Sequence, residues 1–322
     1  PLFRMLFSII TSFLDFGNTK KLNICRIRFI IVSSRLYKKE DRIFVFSART
    51  NIRMEGVTMK LTKIYYAYFS PGDTTRKVAA GIADCFNDYP VEAINLTDFD
   101  VRQASFSFKE NDLLIIAAPV YGGRIPVPVQ ECLLRFQGLN TPTVLVATYG
   151  NRAVDDALME LKKELGQRGF IPVAAAAFIG QHTYLSDLAL GRPDEKDMAL
   201  VREFGEKIRE RLRLAVLYDM KDLDVPGHYP YEKPQMTRFP FQVETNEYCI
   251  YCMLCAGACP MKAINDSNPF DIRHDACIRC GACIRVCPAQ AKSFTEGPLE
   301  ALRANLLRPL CDTRQEPWYT IG

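Results

Sequence analysis

Three kinds of feature are scarce in this chain of 322 residues: histidine, long apolar runs, and basic charge outside the first sixth. There are three histidines, His182, His228 and His274, well separated along the chain. Each is expected to be a lone polar residue rather than a catalytic base, so no acid–base constellation is legible. The apolar run Met5–Leu14 is too short to cross a bilayer, which takes about 20 apolar residues. No small-residue cleavage pattern follows that run, as a signal peptide would need. The net charge is +4, but residues 1–58 hold eleven Lys/Arg against four acids, a surplus of +7 that leaves −3 for residues 59–322. That remainder offers no basic excess for nucleic acid. No membrane insertion and no nucleic-acid partner are expected.

Residues 1–58 do not read as a domain. The sequence begins at Pro1 rather than Met, and basic and aromatic residues mix there without a sustained period. A non-native or disordered segment is expected, with native sequence beginning at Met54 or Met59. The alternatives are an amphipathic membrane-surface helix or a targeting segment.

Cysteine, by contrast, is abundant and clustered. Eight of the twelve lie between Cys249 and Cys287. The first run is Cys249-x2-Cys252-x2-Cys255-x3-Cys259-Pro260. The second is Cys277-x2-Cys280-x2-Cys283-x3-Cys287-Pro288, each cysteine 28 residues after its counterpart. A repeat of ligands means two equivalent sites. The spacing is the established 4Fe-4S run of bacterial ferredoxins, whose fourth cysteine binds the other cluster when two are present. On that rule one cluster takes Cys249, Cys252, Cys255 and Cys287, and the other takes Cys277, Cys280, Cys283 and Cys259. Structural zinc uses four ligands in pairs, and disulfides belong to oxidising compartments, so both fit less well. Thiolate-bound clusters imply a reducing interior, hence a cytoplasmic protein. The scattered Cys25, Cys85, Cys132 and Cys311 are expected to be buried thiols acting as small hydrophobes.

From Leu61 the pattern becomes regular. Apolar strand candidates at Leu61–Phe69, Val91–Leu96, Asp112–Ala118, Thr143–Thr148 and Phe170–Phe178 alternate with amphipathic helical stripes. The stripes fall on Val78–Phe86, Pro128–Phe136, Val154–Leu165 and Met198–Leu212. Five strands alternating with helices predict an α/β, doubly wound parallel sheet. Ligands of such sheets bind at the carboxyl ends of the strands, at the switch point. The predicted boundaries are 59–218 for this domain, 219–244 for a proline-rich linker, and 245–322 for a small α+β two-cluster domain with its tail. Within that tail Pro298–Leu307 is expected to form a short helix and Glu316–Thr320 to be a docking tail.

Three loops carry a resemblance to flavodoxins. Tyr68-Phe-Ser70-Pro-Gly72-Asp73-Thr74-Thr75 resembles their phosphate loop, S-x-T-G-x-T before a helix. Ser70, Gly72, Thr74 and Thr75 are the candidate phosphate residues, at a helix N-terminus that favours an anion. Two positions depart from the pattern. Gly72 replaces a threonine and loses a hydroxyl. Asp73 replaces the glycine and brings a carboxylate whose charge opposes phosphate unless it points away. Pro119, Val120, Tyr121, Gly122 and Gly123, with Tyr149, Gly150, Asn151 and Arg152, look like the two loops that hold the isoalloxazine ring. Tyr121 or Tyr149 offers a flat face for stacking.

Taken together, residues 59–322 resemble the ferredoxin–flavodoxin fusion proteins of anaerobic microbes. That resemblance implies FMN, two 4Fe-4S clusters, low-potential electron transfer between them, and a redox partner protein. The alternative it leaves open is an FMN-dependent reductase fed by its own ferredoxin domain, with Gln181–Tyr184 lining a substrate pocket. Arg279, Arg285 and Lys262 lie near the cysteine runs, where they either offset cluster charge or serve as solvated surface residues.

Overall fold

A computed structural model describes residues 60–214, 222–237 and 239–322, together with the backbone of four short strands between residues 30 and 55. The chain divides into two compact units, 1–57 and 58–322. In the first, Ile30–Val32 pairs antiparallel with Arg35–Tyr37, and Ile43–Phe46 with Ile52–Glu55. The expectation for residues 1–58 otherwise falls outside the described residues.

The second unit is built on a sheet. Its strands in chain order are β1 (Lys63–Tyr68), β2 (Val91–Asn95), β3 (Asp112–Pro119), β4 (Thr141–Tyr149) and β5 (Phe170–Ile179). They lie in the order β2-β1-β3-β4-β5 and are all parallel. That is the flavodoxin-like order, with the switch point between β1 and β3. Strands β3 and β4 are buried along almost their whole length because helices cover both faces, so their sequences read as apolar runs rather than alternations. Helices α1 (Thr74–Ala83) and α4 (Glu195–Leu214) pack Val78, Ile82, Val201, Phe204 and Ile208 on one face. On the other, α2 (Val127–Leu133) and α3 (Ala157–Gly166) pack Val129, Leu133, Leu158, Leu161 and Leu165.

The chain's last strand completes this sheet. Trp318–Ile321 runs antiparallel along β5, pairing with Ala174–Ala177. The tail expected to dock therefore adds a sixth strand and covers an edge that would otherwise present unpaired backbone groups.

Between the sheet and this tail lies the cysteine-rich part. An antiparallel pair of β6 (Val243–Thr245) and β7 (Lys292–Phe294) brackets both runs. Each run ends its first turn in a four-residue helix, α5 (Leu254–Gly257) or α6 (Ala282–Arg285). The repeat is written in the backbone. Left-handed residues Tyr251, Met253 and Lys262 recur 28 positions later at Arg279, Gly281 and Gln290. Beyond β7, α7 (Pro298–Leu302) begins the expected helix, which continues in a wider turn over Arg303–Leu307. No helix among the described residues is long and apolar enough to cross a membrane.

Candidate functional site

The eight cysteines are free and line two cavities. One is walled by Cys277, Cys280 and Cys283 of the second run and Cys259 of the first. The other is walled by Cys249, Cys252 and Cys255 of the first run and Cys287 of the second. Local geometry explains the exchange. The chain turns through left-handed residues and a short helix inside each run, and this wraps three cysteines round one cavity. The fourth then leaves along the helix toward the neighbouring cavity. Each fourth sulfur also accepts a backbone N–H four residues on, Ala263 to Cys259 at 3.3 Å and Ala291 to Cys287 at 3.2 Å. Among the described residues no three His, Cys, Asp or Glu side chains converge on a single ion-sized point.

The donor chemistry fits iron–sulfur clusters. Burial pushes the thiols of Cys280 and Cys283 up to about 12. They are neutral in the bare chain, and binding iron releases their protons. Positive charge stands close by. Lys292, 4% exposed, lines the second cavity and donates to Thr245 Oγ1 and Pro269 O. Sequence reasoning missed it, since a lysine on a β-strand carries no local signal of burial.

The two cavities differ in their surroundings. The Cys277 cavity faces the flavodoxin-like half, and we call it inner. Arg102, itself buried, donates to Leu96 O at 2.7 Å and to Pro260 O, next to Cys259. The Tyr184 hydroxyl donates to Arg279 O at 3.2 Å, and its ring packs edge-on against Phe241 and Phe294. The other cavity is outer. Cys252 is exposed, and Tyr248, Ile250, Tyr251 and Leu254 around it are all more than half exposed.

The flavin-like loops gather at the carboxyl ends of β1, β3 and β4, as the switch-point rule requires. In the first, Ser70 Oγ accepts the Arg76 N–H at 3.0 Å. Thr75 is buried and shares a 2.6 Å hydrogen bond with the Thr148 hydroxyl. Thr74 packs where a Cβ on Gly180 would lie. Asp73 is left-handed, at φ 66°, so it takes the glycine conformation its position demands. Its carboxylate turns to Arg76, with the longer of two contacts at 3.1 Å, and to Lys77 at 3.8 Å. The Arg76 hydrogen bond holds it below the usual carboxylate range. The carboxylate is therefore neutralised within α1. A hydroxyl that already accepts one bond still has its O–H to donate, so Ser70 keeps a donor.

The second loop turns between Tyr121 and Arg124, whose backbones bond each other at 2.8 and 3.2 Å. Gly122 and Gly123 occupy the positive-φ positions, at 62° and 92°. Burial in the crevice pushes the Tyr121 phenol well above its ordinary range, and Cys280 and Tyr184 are close enough to add to the shift. The linker lies on this loop: a Cβ on Gly122 would meet Met236, and one on Gly123 would meet Asp155 and Lys233. Pro119 pairs with Thr148 across the sheet, and Val120 N donates to Thr148 O at 2.8 Å.

In the third loop Asn151 is buried and spends its side chain on the C-terminal tail. It donates to Leu310 O and Thr313 O and accepts from Gln315 N at 3.1 Å. Arg152 pairs with Asp155. Gly150 is in contact with His182: a Cβ there would stand 2.4 Å from the ring. Tyr149 sits half-buried beside it, its phenol raised by burial.

His182 and Tyr184 lie in the segment considered for a substrate pocket. His182 Nδ1 accepts the Tyr184 N–H at 3.0 Å, and the Tyr184 side chain is spent on the cysteine-rich part. Burial, aided by Arg152, lowers His182 to about 4. In the folded state the ring is neutral, whereas an unfolded histidine titrates near 6.5. This contribution is present above about pH 6.5 and is lost as pH falls toward 4, at most about 3 kcal/mol. We expect the stability difference between wild type and His182→Gln, followed by thermal unfolding, to shrink across that window. A difference that is flat with pH would mean that His182 is not held neutral. His228 is exposed near Asp156 and Glu232, and His274 lies three residues before the second cysteine run, so the three histidines do not meet.

Other expectations resolve as follows. Cys132 is buried and Cys85 half-buried, but Cys311 is exposed, because it follows the last turn of the tail rather than a core helix. Cys25 lies outside the described residues. Arg279 is buried and donates to Phe241 O, His274 O and Cys277 O, so it braces the second run from within. Lys262 is exposed and pairs with Asp100 of the flavodoxin-like half at 2.7 Å.

Residues 248–292 match the family model of the 4Fe-4S dicluster domain. No curated protein matches the chain. Among solved structures, a flavodoxin from the domain Archaea is 13% identical, covering 47% of this chain and 99% of its own, with a TM-score of 0.34. A flavodoxin of Streptococcus pneumoniae TIGR4 is 20% identical, with coverages of 47% and 98% and a TM-score of 0.34. An NADH:FMN oxidoreductase in its apo form is 18% identical, with coverages of 48% and 89% and a TM-score of 0.35. The fold assignment rests on the strand order. The chain thus joins a flavodoxin-like domain to a 4Fe-4S dicluster domain, the fusion architecture its sequence resembles. The match gives residues 248–292 the ligand pattern of an iron–sulfur domain.

Proposed function

We propose that residues 59–322 relay low-potential electrons between two 4Fe-4S clusters and FMN. Residues 59–218 form the FMN domain, 219–244 the linker and 245–322 the cluster domain. The observation that carries this reading is the crossed lining of the two cavities, with the second run beside the switch-point loops, Arg285 against Gly72 and Cys280 near Tyr121. Clusters pass single electrons and a flavin holds one or two, so a chain with both can couple one-electron partners to a two-electron centre.

The residues divide the work. Cys249, Cys252, Cys255 and Cys287 hold the outer cluster, and Cys277, Cys280, Cys283 and Cys259 the inner one. Ser70, Gly72, Thr74 and Thr75 cradle the phosphate. Pro119–Gly123 and Tyr149–Arg152 hold the ring. Arg102, Tyr184 and Arg279 keep the inner cavity against the crevice. The exposed Tyr248, Ile250, Tyr251 and Leu254 give a redox partner protein an apolar surface beside the outer cavity. The alternative, a reductase with its own substrate pocket at Gln181–Tyr184, is disfavoured because Tyr184 is already committed to packing.

The test is anaerobic purification with iron, sulfide and flavin quantitation. About eight irons and about one FMN per chain are expected from the ligand count. A chain that takes up about four irons loses one cluster from the reading, and a chain that takes up no flavin loses the FMN half.

A further inference from the structure

The phosphate loop departs from the flavodoxin pattern at two neighbouring positions, and both departures weaken its hold on a dianion. Gly72 has no hydroxyl, and Asp73 carries a negative charge. The charge is neutralised locally by Arg76 and Lys77. The missing hydroxyl has no replacement within the loop itself, but one stands next to it. Arg285 of α6, in the second cysteine run, reaches across and lays its guanidinium on Gly72. A Cβ built on Gly72 would lie 3.2 Å from Arg285 Nη2 and 3.3 Å from Cζ. The threonine of the usual pattern would press on that guanidinium. The same substitution that removes a hydroxyl therefore admits a cation.

Arg285 is exposed at the surface and tethered at one point. Its Nη2 donates to Cys280 O at 2.8 Å, the one side-chain hydrogen bond it makes among the described residues. A guanidinium has five N–H donors in a fixed fork, and one is used here. The rest suit a phosphate, which accepts paired N–H groups from arginine.

Resting on the FMN reading above, we propose that Arg285 completes the phosphate site from the cluster domain. The flavin's phosphate then bridges the two halves of the molecule, and Arg285 ties it directly to the backbone of an inner-cluster cysteine. Flavin retention in this chain depends on the cluster domain, and discrimination between FMN and riboflavin resides partly in a residue outside the flavodoxin-like fold.

The experiment uses the cluster-loaded chain, stripped of flavin and titrated anaerobically with FMN and with riboflavin, following flavin fluorescence. Arg285→Gln is expected to weaken FMN by about ten- to hundredfold, the effect of losing a hydrogen bond to a charged group. Riboflavin, which has no phosphate, should bind the variant as it binds wild type, and iron content should be unchanged. Arg285→Lys should recover part of the loss, since charge is kept but the fork is not. The proposal is overturned if Arg285→Gln binds FMN within about twofold of wild type. It is also overturned if riboflavin is weakened equally, because the effect is then structural. A wild-type chain that binds neither flavin removes the FMN reading and this inference with it. One that binds FMN indifferently to Arg285 removes this inference alone.

Discussion

Replacing Cys259 with alanine removes the inner cluster and leaves the outer one, although Cys259 lies in the run that supplies three outer ligands. Cys259 lines the cavity of Cys277, Cys280 and Cys283, and Cys287 lines the cavity of Cys249, Cys252 and Cys255. Each variant is expected to hold about four irons instead of about eight. The decisive readout is the residual spectrum of the dithionite-reduced protein by EPR. Cys259→Ala should match Cys280→Ala, and Cys287→Ala should match Cys252→Ala. If Cys259→Ala matches Cys252→Ala instead, each run holds its own cluster and the crossed assignment is wrong. Loss of all iron in every variant would mean that the two sites assemble only together, which also removes the separate inner and outer roles.

What the sequence made legible follows from how local each cause is. The five parallel strands were readable because burial on both faces turns them into apolar runs, and strands that β-pair in parallel must alternate with helices. The helical stripes of α1, α3 and α4 were readable because each helix buries one face only. The cysteine repeat was readable because ligand spacing along one loop is a property of a few residues. The features that were not legible depend on partners far away in the chain. Nothing near Trp318 announces that it will pair with Ala177, 141 residues earlier. Nothing at Gly72 announces Arg285, and nothing at Gly150 announces His182. Gly150 reads simply as a turn residue, and only the packed ring shows why a side chain cannot stand there. Asp73 is the intermediate case. Its left-handed backbone was predictable from residue type, while the direction of its carboxylate depended on Arg76 and Lys77 one turn into the helix.

The largest effect on stability is expected at Glu160, which no sequence motif marks. Glu160 is fully buried on α3 and takes a paired contact from the Arg124 guanidinium, 2.8 Å on each arm. It also accepts the Ile125 N–H at 3.0 Å and the Gln130 amide. Arg124 is itself buried, stacks on Tyr231 at 3.9 Å, and donates to Lys233 O at 2.9 Å. One carboxylate thus fixes the Tyr121–Arg124 turn to α3, and through Arg124 it fixes the linker to both. Glu160→Ala leaves a buried guanidinium without its counter-charge and strands two further donors. The expected cost is about 3–5 kcal/mol, because an uncompensated buried charge is worse than none. For a unit of this size that corresponds to a fall in melting temperature of roughly 10 °C. The double variant Arg124→Met with Glu160→Leu should recover much of the loss, since apolar replacement of both partners removes the charge problem. FMN affinity separates the two consequences. It should stay low in the double variant even where stability returns, because the turn that presents Tyr121, Gly122 and Gly123 has lost its anchor. A double variant that regains both stability and FMN binding would show that the turn holds its shape without the ion pair, and would confine Arg124 and Glu160 to a purely structural role.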